Sequence, residues 1–424
     1  MKIFCSGVGG IGLSAYAAHM KALGHDVSGT DKANSETVQS LMSFGISVSF
    51  IQDGSAISTD TELFVYSEAV PADSPERTKA KELGIRQVSY FAALGELTAG
   101  TDLIAICGTH GKSSTTSMVA KVYIDAGLDP NVVVGTKTAD LGGRNWRKGA
   151  GKLWIIEACE YRRSFLHLKP TTILITNADG DHFDAFKNIE DYTSAFVEFL
   201  SSLPKEGSVV AHGNDANTVN VLSRAGKKFI DADQEELPTL SVPGVHMQHN
   251  AQLVKALCRL RGLDMKKTEE SLHRFAGSWR RMEVKGDTHL GVTVIDDYAH
   301  HPTEIRATIA AIRGKYPDRR LVCVFEPHTN DRTLKLWKDF TTAFSEADLV
   351  LVTKVFDARP DKDSVKADVA KFAAEIGKTS KVSCRPTGSL EKTKVALDTL
   401  LQNDDVLLVM GAGNSTKLAG ALVT

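Results

Sequence analysis

The stretch AICGTHGKSSTTSMVA, residues 105–120, combines an apolar run, a turn rich in glycine and hydroxyl groups, and a segment of helical character. The apolar run predicts a buried strand, and the residues after Gly111 predict a helix. Glycines in such a turn let backbone N–H groups approach an anion, and the following helix directs its positive end to the same point. The stretch therefore predicts a strand–turn–helix phosphate site within an α/β fold.

The turn itself reads Gly-Thr-His-Gly-Lys-Ser. A lysine at position 112 can reach terminal phosphates, and the hydroxyl group of Ser113 can ligate Mg²⁺. The usual pattern has a glycine where this chain has Ile106, but the strand–turn–helix context still favours a phosphate site. The predicted ATP-binding residues of this loop are Gly108, Thr109, His110, Gly111, Lys112, Ser113 and Ser114.

A second glycine loop, SGVGGIG, occupies residues 6–12 between a predicted strand and a predicted helix. Gly7, Gly9 and Gly12 fit the pattern GxGxxG, and Asp31 follows about 20 residues later, at the end of the next predicted strand. This arrangement is typical of nicotinamide and flavin dinucleotide sites. A nucleotide-diphosphate substrate would use the same helix end, so the loop alone leaves both ligands open.

A third stretch, IDDYAHHPTEI, covers residues 295–305. Two aspartates end a predicted strand, and a tyrosine, two histidines and a proline follow before the next helix. Ligands of α/β proteins bind at the carboxyl ends of the strands. The cluster therefore predicts a functional site in the last third of the chain.

Short β-branched runs alternate with longer helical patterns along all 424 residues, which is typical of mostly parallel sheets with flanking helices. We predict three α/β domains. They are a Rossmann-like domain at 1–99, a central P-loop domain at 100–282 and a second Rossmann-like domain at 283–424.

The overall charge and hydropathy argue against two classes of partner. The formal net charge is −2, which gives no electrostatic case for nucleic acid or an anionic membrane. No apolar run approaches the roughly 18 residues of a membrane helix. We expect a cytoplasmic protein without nucleic-acid binding or membrane insertion.

Together these stretches resemble the Mur ligases, which build the peptide stem of bacterial peptidoglycan. The resemblance runs in order through essentially the whole chain, and its motifs are GVGGIG, YSEAVPADSPE, GTHGKSSTT, EACEYRRSFL, TNADGDHFD, PGVHMQHNA, FAGSWRRME, DDYAHHPTEI, EPHTNDRT and MGAGN. It implies an ATP-dependent carboxylate–amine ligase that works through an acyl phosphate. Within the family the motifs resemble the branch that joins L-alanine to UDP-N-acetylmuramate. The resemblance also implies Mg²⁺, with Mn²⁺ as a substitute, and a monomer or homodimer.

The resemblance assigns roles by motif. Catalysis is expected from Lys112, Glu157, His182, His328 and Arg332. Metal ligation is expected from Ser113 and Glu157 on one ion and from His182 on a second ion. ATP would also contact Asn250, Asp297 and His300. The UDP-sugar would contact Gly7, Gly9, Gly10, Ile11, Gly12, Asp31 and Arg281. The amino acid would contact Tyr298, His328 and Arg332.

Two positions depart from the family pattern: Met247 stands where an asparagine is expected in the adenine segment, and Thr329 stands where an arginine often follows the histidine.

Three alternative functions stay open. They are a ligase that recycles a whole tripeptide onto the same UDP-sugar, a nicotinamide-dependent dehydrogenase that uses residues 7–12, and a P-loop module that only binds nucleotide.

Overall fold

The computed structural model describes residues 1–181, 185–357 and 365–423. These residues form two compact units. The first contains Met1–Gly180, Ile189–Glu236 and Ala251–Leu272, and the second contains the other described residues. Two sheets belong to the first unit and one sheet belongs to the second.

The first sheet has five parallel strands in the order β3-β2-β1-β4-β5. The strands are β1 (Lys2–Ser6), β2 (Asp26–Thr30), β3 (Ser47–Ser49), β4 (Leu63–Tyr66) and β5 (Arg86–Ser89). The helices are α1 (Ile11–Ala22), α2 (Glu36–Ser43), α3 (Pro75–Glu82) and α4 (Tyr90–Leu97). Because β1 lies between β2 and β4, the loop after β1 lies at the switch point where α/β sheets bind ligands.

The second sheet has seven strands in the order β12-β11-β10-β6-β9-β7-β8, and only the edge strand β8 is antiparallel. The strands are β6 (Asp102–Cys107), β7 (Asn131–Thr138), β8 (Arg144–Arg147), β9 (Leu153–Glu157), β10 (Thr172–Ile175), β11 (Ser208–Ala211) and β12 (Ile230–Asp231). The helices that follow β6 in the chain are α5 (Lys112–Asp125), α6 (Ile189–Ser201), α7 (Ala216–Arg224), α8 (Val245–Leu260) and α9 (Met265–His273). Since β6 lies between β9 and β10, the phosphate loop also follows a strand at a switch point.

The third sheet has six strands in the order β13-β14-β18-β15-β16-β17, and β13 pairs antiparallel to β14. The strands are β13 (Glu283–Asp287), β14 (Thr293–Asp297), β15 (Leu321–Phe325), β16 (Leu349–Thr353), β17 (Ser383–Gly388) and β18 (Val406–Met410). The helices are α10 (Pro302–Lys315), α11 (Asn330–Lys335), α12 (Trp337–Thr341), α13 (Val369–Ser380), α14 (Leu390–Leu400) and α15 (Ser415–Gly420). Aliphatic side chains from the four central strands form a continuous buried core: Val294, Val324, Leu351 and Val409.

The predicted fold class is confirmed, because each sheet is mostly parallel and carries flanking helices. The buried strand β7 was missed although it contains the apolar run NVVV, whereas the buried strands β1, β6 and β14 were predicted. The edge strands β8 and β13 were not, since neither has a long apolar run. The boundaries of the three domains stay a prediction.

Among the described helices, none combines the length and apolar character needed to span a bilayer.

Candidate active site

Two glycines give the phosphate loop its shape. Gly111 precedes the first turn of α5 with φ +81°, in the left-handed region. Gly108 has φ +136°, and a Cβ atom there would lie 2.1 Å from Oγ1 of Thr176. Only glycine meets both requirements without strain.

Side chains from the segment after β10 and from α6 hold the loop in place. Asn177 makes two bonds to His110: its Oδ1 accepts from the backbone N–H at 2.9 Å, and its Nδ2 donates to the carbonyl oxygen at 3.0 Å. The hydroxyl groups of Thr109 and Tyr192 lie 2.7 Å apart. Thr109 and His110 are therefore fixed by the protein itself, which leaves the loop preorganised for an anion.

Lys112 pairs with a carboxylate that sequence reasoning missed. Its Nζ lies 3.0 Å from Oε1 of Glu160, which is fully buried, and also donates to the carbonyl oxygen of Thr109 at 3.0 Å. Burial opposes the charge, but Glu160 and the neighbouring acidic groups outweigh it and hold the pKa of Lys112 above its ordinary value. The lysine is thus a permanent cation at the phosphate loop. Glu160 stands only three residues after Glu157 in EACEYRRSFL. That proximity is the sequence feature that could have indicated Glu160 as a site residue.

Ser113 and Glu157 lie together, as predicted for a metal site. Ser113 donates to Oε1 of Glu157 at 3.1 Å, and the backbone N–H of Gly135 donates to Oε2 at 2.7 Å. A hydroxyl and a carboxylate oxygen are the hard donors that Mg²⁺ prefers, so these residues fit the ion. The third predicted ligand, His182, lies outside the described residues.

The hydroxyl groups that follow this pair do not extend the phosphate site. Thr115 donates to the carbonyl oxygen of Gly111 at 2.9 Å, and Thr116 donates to that of Lys112 at 2.8 Å. Each hydroxyl proton is bonded to the preceding turn of α5 and is therefore used within the helix. The hydroxyl run therefore gives less support to a phosphate site than its composition suggested.

The first glycine loop is fixed by Asp31. The backbone N–H of Gly9 donates to Oδ2 of Asp31 at 2.8 Å, and that of Gly7 donates to the carbonyl oxygen of Thr30 at 2.9 Å. At Gly12 a Cβ atom would lie 2.6 Å from the ring of Tyr90. Asp31 thus binds the loop itself, and Gly12 allows α1 to pack closely.

A buried acid below this loop was also missed. Glu76 is 1% exposed and accepts hydrogen bonds from Ser6 at 2.5 Å and from Thr30 at 2.6 Å. The two hydroxyl groups end β1 and β2, so Glu76 joins the strand ends that carry the glycine loop.

In the second unit, Asp297 is held by internal donors. Its carboxylate accepts from the backbone N–H groups of Met282 and Ala299, both at 2.7 Å, and from Thr308 at 3.3 Å. Burial raises the pKa of Asp297 to about 6, against the opposing effects of Arg281 and the N–H bonds. With its oxygens bonded in this way, Asp297 braces the start of the DDYAHHPTEI loop.

His300 follows in the same loop and faces Glu304. Its Nδ1 lies 2.9 Å from the carbonyl oxygen of Tyr298 and 3.3 Å from Oε2 of Glu304. The backbone N–H of His300 also donates to Glu304 at 3.1 Å. Burial lowers the pKa of the imidazole to about 4, although Glu304 acts in the other direction. The ring is therefore neutral at neutral pH.

Arg332 lies in a buried ion pair with Asp181, which was not predicted as a site residue. Its Nε and Nη2 atoms each lie 3.1 Å from Oδ1 of Asp181, and Nη1 lies 2.9 Å from Nδ1 of His328. The His328 ring stacks on Phe356 with centroids 5.8 Å apart. The three residues predicted to contact the amino acid, Tyr298, His328 and Arg332, thus lie beside His300, which was predicted to contact ATP, and beside Asp181.

The two arginines of SWRRME behave differently. Arg280 is 4% exposed and donates to the carbonyl oxygens of Gly411 and Gly413, so it joins the loop before α15 to the start of the third sheet. Arg281 is more exposed and lies over the ring of Tyr298 at 5.2 Å. Arg281 therefore borders the histidine cluster, and its predicted contact with the UDP-sugar stays a prediction.

In the segment predicted to bind adenine, the substituted residue Met247 contacts Asn250. Nδ2 of Asn250 lies 3.9 Å from Sδ of Met247, and both side chains are buried. The thioether thus takes the neighbouring position beside the retained asparagine. Contact of Asn250 with adenine stays a prediction.

Three family models match the chain in order. They are the Mur ligase family catalytic domain at residues 2–101, the Mur ligase middle domain at residues 106–255, and the Mur ligase glutamate ligase domain at residues 280–413. Together they cover most of the sequence.

Similar proteins cover nearly the whole chain. A UDP-N-acetylmuramate–L-alanine ligase of Clostridium kluyveri is 36% identical, with 97% of this chain and 96% of that protein aligned. The ligase of the same name from Persephonella marina is 35% identical, with 97% and 94% aligned. The crystal structure of a UDP-N-acetylmuramate-alanine ligase from Thermotoga maritima superposes with a TM-score of 0.82 at 27% identity, covering 100% of this chain and 98% of that one.

Proposed function

The chain belongs to the Mur ligase family, and on this premise we propose that it joins L-alanine to the carboxylate of UDP-N-acetylmuramate with cleavage of ATP. This is the first step in building the peptide stem of peptidoglycan. The observation that carries the proposal is the phosphate loop. There Lys112 is held as a cation by Glu160, and Ser113 lies beside the carboxylate of Glu157.

The chemistry explains why such a site is needed. Condensation of a carboxylate with an amine requires a good leaving group on the carbonyl carbon, and phosphorylation of the carboxylate by ATP supplies it. The carboxylate must then approach a polyanion, so the barrier is mainly electrostatic. Lys112 neutralises charge on the β- and γ-phosphates, and the N–H groups at the start of α5 bind the same oxygens.

The metal proposal follows from the donor set. Ser113 and Glu157 would hold one Mg²⁺ and His182 a second, with Mn²⁺ as a substitute, and a bound ion would supply positive charge against the phosphate oxygens. The Glu157 carboxylate is held in position because the backbone N–H of Gly135 donates to Oε2. Replacement of Glu157 by glutamine is expected to raise the Mg²⁺ concentration needed for half-maximal rate.

The two substrates are assigned to different units. We propose that residues 7–12, held by Asp31, bind the diphosphate of the UDP-sugar. Arg332 would bind the carboxylate of L-alanine, with its guanidinium plane fixed by Asp181 and His328. The fork geometry of arginine suits a carboxylate.

Phosphate release tests the function. The assay contains ATP, Mg²⁺ and UDP-N-acetylmuramate, together with either L-alanine or the tripeptide L-alanyl-γ-D-glutamyl-diaminopimelate. Release that depends on L-alanine is expected. Release only with the tripeptide would assign the protein to the recycling branch. A change in NAD(P)H absorbance or fluorescence on titration would instead revive the dehydrogenase.

A further inference from the structure

Two imidazole rings of the second unit use their Nδ1 atoms in opposite ways. His300 and His328 have ring centroids 5.7 Å apart. Nδ1 of His300 lies 2.9 Å from the carbonyl oxygen of Tyr298, and a carbonyl oxygen can only accept. Nδ1 of His300 therefore carries the hydrogen, and in the neutral ring Nε2 has the lone pair.

His328 is in the reverse state. Its Nδ1 lies 2.9 Å from Nη1 of Arg332, and a guanidinium group can only donate. Nδ1 of His328 is therefore an acceptor, and the hydrogen of the neutral ring is on Nε2. The two rings thus offer a proton acceptor at Nε2 of His300 and a donor at Nε2 of His328.

The proposed reaction needs such an acceptor. The amino group of L-alanine is an ammonium ion at neutral pH, and it has no lone pair until it loses a proton. Among the described residues, the charged and titratable groups around His300 are Glu304, Tyr298, His328, Arg332 and Asp181. Asp181 is engaged by Arg332, and Glu304 is engaged by the backbone N–H of His300.

We propose that Nε2 of His300 accepts the proton of the incoming ammonium group, and that Glu304 positions the ring. The proposal rests on the proposed function. The N–H bond breaks and its electron pair stays on nitrogen, while the proton binds to Nε2. The amine then attacks the acyl-phosphate carbon and the C–O bond to phosphate breaks. The second proton of the new C–N linkage leaves with the phosphate.

The surroundings of His300 suit a base. The ring is neutral at neutral pH, so its lone pair is present before substrate binds. Burial lowers the pKa of the ring and weakens it as a base, and the Glu304 carboxylate opposes that effect. Glu304 lies 3.3 Å from Nδ1, on the side of the ring away from the lone pair. A carboxylate at that position fixes the tautomer and stabilises the imidazolium that forms, as in other base–orienter pairs.

The test compares two nucleophiles. His300→Gln is assayed with L-alanine and with hydroxylamine, which is uncharged at neutral pH and needs no base to become nucleophilic. His289→Gln, at an exposed histidine of the same unit, is the control for the substitution. The rate with L-alanine is expected to fall by about 10²–10⁴-fold in His300→Gln. Hydroxamate formation is expected to persist, which also shows that the variant is folded and still makes the acyl phosphate.

The pH dependence separates a base from a residue that only binds the amino acid. The defect of His300→Gln with L-alanine is expected to shrink as pH rises, because the fraction of free amine grows. Glu304→Gln is expected to lower kcat for L-alanine with less effect on hydroxylamine. A ratio of the two nucleophiles unchanged from wild type, or a defect that is constant with pH, would overturn the proposal. Absence of L-alanine-dependent turnover in the wild type would instead overturn the function on which it rests.

Discussion

At the scale of single residues, the sequence predicts the residues of the proposed site but not the side chains that hold them in position. Lys112 stands in a short motif whose spacing predicted it, and the resemblance to the Mur ligases implied Arg332. Their partners Glu160 and Asp181 lie 48 and 151 residues away in sequence, and such pairings depend on the tertiary fold. A polar residue inside a motif that has no assigned role is therefore a good candidate for a buried partner.

The Lys112–Glu160 pair makes a prediction about stability. Lys112→Met leaves a fully buried carboxylate without its cation, which is expected to cost about 3–5 kcal/mol. Lys112→Met/Glu160→Gln removes both charges and is expected to recover most of that loss. Melting temperatures of the two variants check this, and equal destabilisation of both would contradict the pairing.

His19 makes a prediction about pH. It is 1% exposed, lies against Trp154, and among the described residues neither of its ring nitrogens has a hydrogen-bond partner. Burial lowers its pKa to about 4 from 6.5, so between these values the unfolded chain binds one more proton than the folded chain. The free energy of unfolding should therefore fall as the pH falls from 6.5 to 4, by up to about 3 kcal/mol from this residue.

His246 and His300 act in the same direction, whereas the raised pKa of Asp297 acts in the other. His19→Leu is therefore the informative variant, and its melting temperature should decline less on acidification than that of the wild type. The same substitution at the exposed His289 should leave the slope unchanged. Parallel curves for wild type and His19→Leu would show that His19 does not contribute.

At the scale of elements, the sequence predicted both glycine loops and the strands that precede them, but it missed the buried strand β7. A central parallel strand is buried on both faces and reads as a continuous apolar run. Strands such as β3 and β5 are short and partly exposed, with burial set by neighbours that the sequence does not show. The antiparallel strands β8 and β13 each pair with one neighbour at the edge of a sheet. Local composition does not encode that pairing.

The packing of α1 makes a prediction at this scale. Gly12→Ala would place a Cβ atom 2.6 Å from the Tyr90 ring. Overpacking of this kind costs about 1–3 kcal/mol, which outweighs the higher helix propensity of alanine. Gly314→Ala, in α10 with open space around it, should instead stabilise the protein by up to about 1 kcal/mol. Calorimetric melting temperatures that move in opposite directions would confirm the contrast, and an equal gain for both would refute it.

At the scale of the whole molecule, the sequence predicted the family and the order of its sheets, because the motifs follow one another along the entire chain. Each site has its own sheet. The glycine loop proposed to bind the UDP-sugar follows β1, the loop proposed to bind phosphate follows β6, and the histidine cluster follows β14 and β15. Substrate binding and ATP turnover should therefore be separable by mutation.

Lys112→Met is expected to lose ATP turnover and to keep its affinity for UDP-N-acetylmuramate. Residues 7–12 follow β1 and Lys112 follows β6, and these two strands belong to different sheets. Isothermal titration calorimetry with the UDP-sugar checks this. Because the double variant Lys112→Met/Glu160→Gln should be more stable, it serves as the control for indirect effects of unfolding. A lost affinity in both variants would mean that the UDP-sugar is bound at the phosphate loop.

The central claim is that ATP activates the muramate carboxylate for attack by L-alanine. The most direct measurement uses UDP-N-acetylmuramate labelled with ¹⁸O in that carboxylate, with ATP, Mg²⁺ and L-alanine, and mass spectrometry of both products. The account predicts a UDP-sugar extended by one alanine and released phosphate that carries one ¹⁸O atom for each amide formed. Phosphate without the label, or release of phosphate without the alanine adduct, would contradict it.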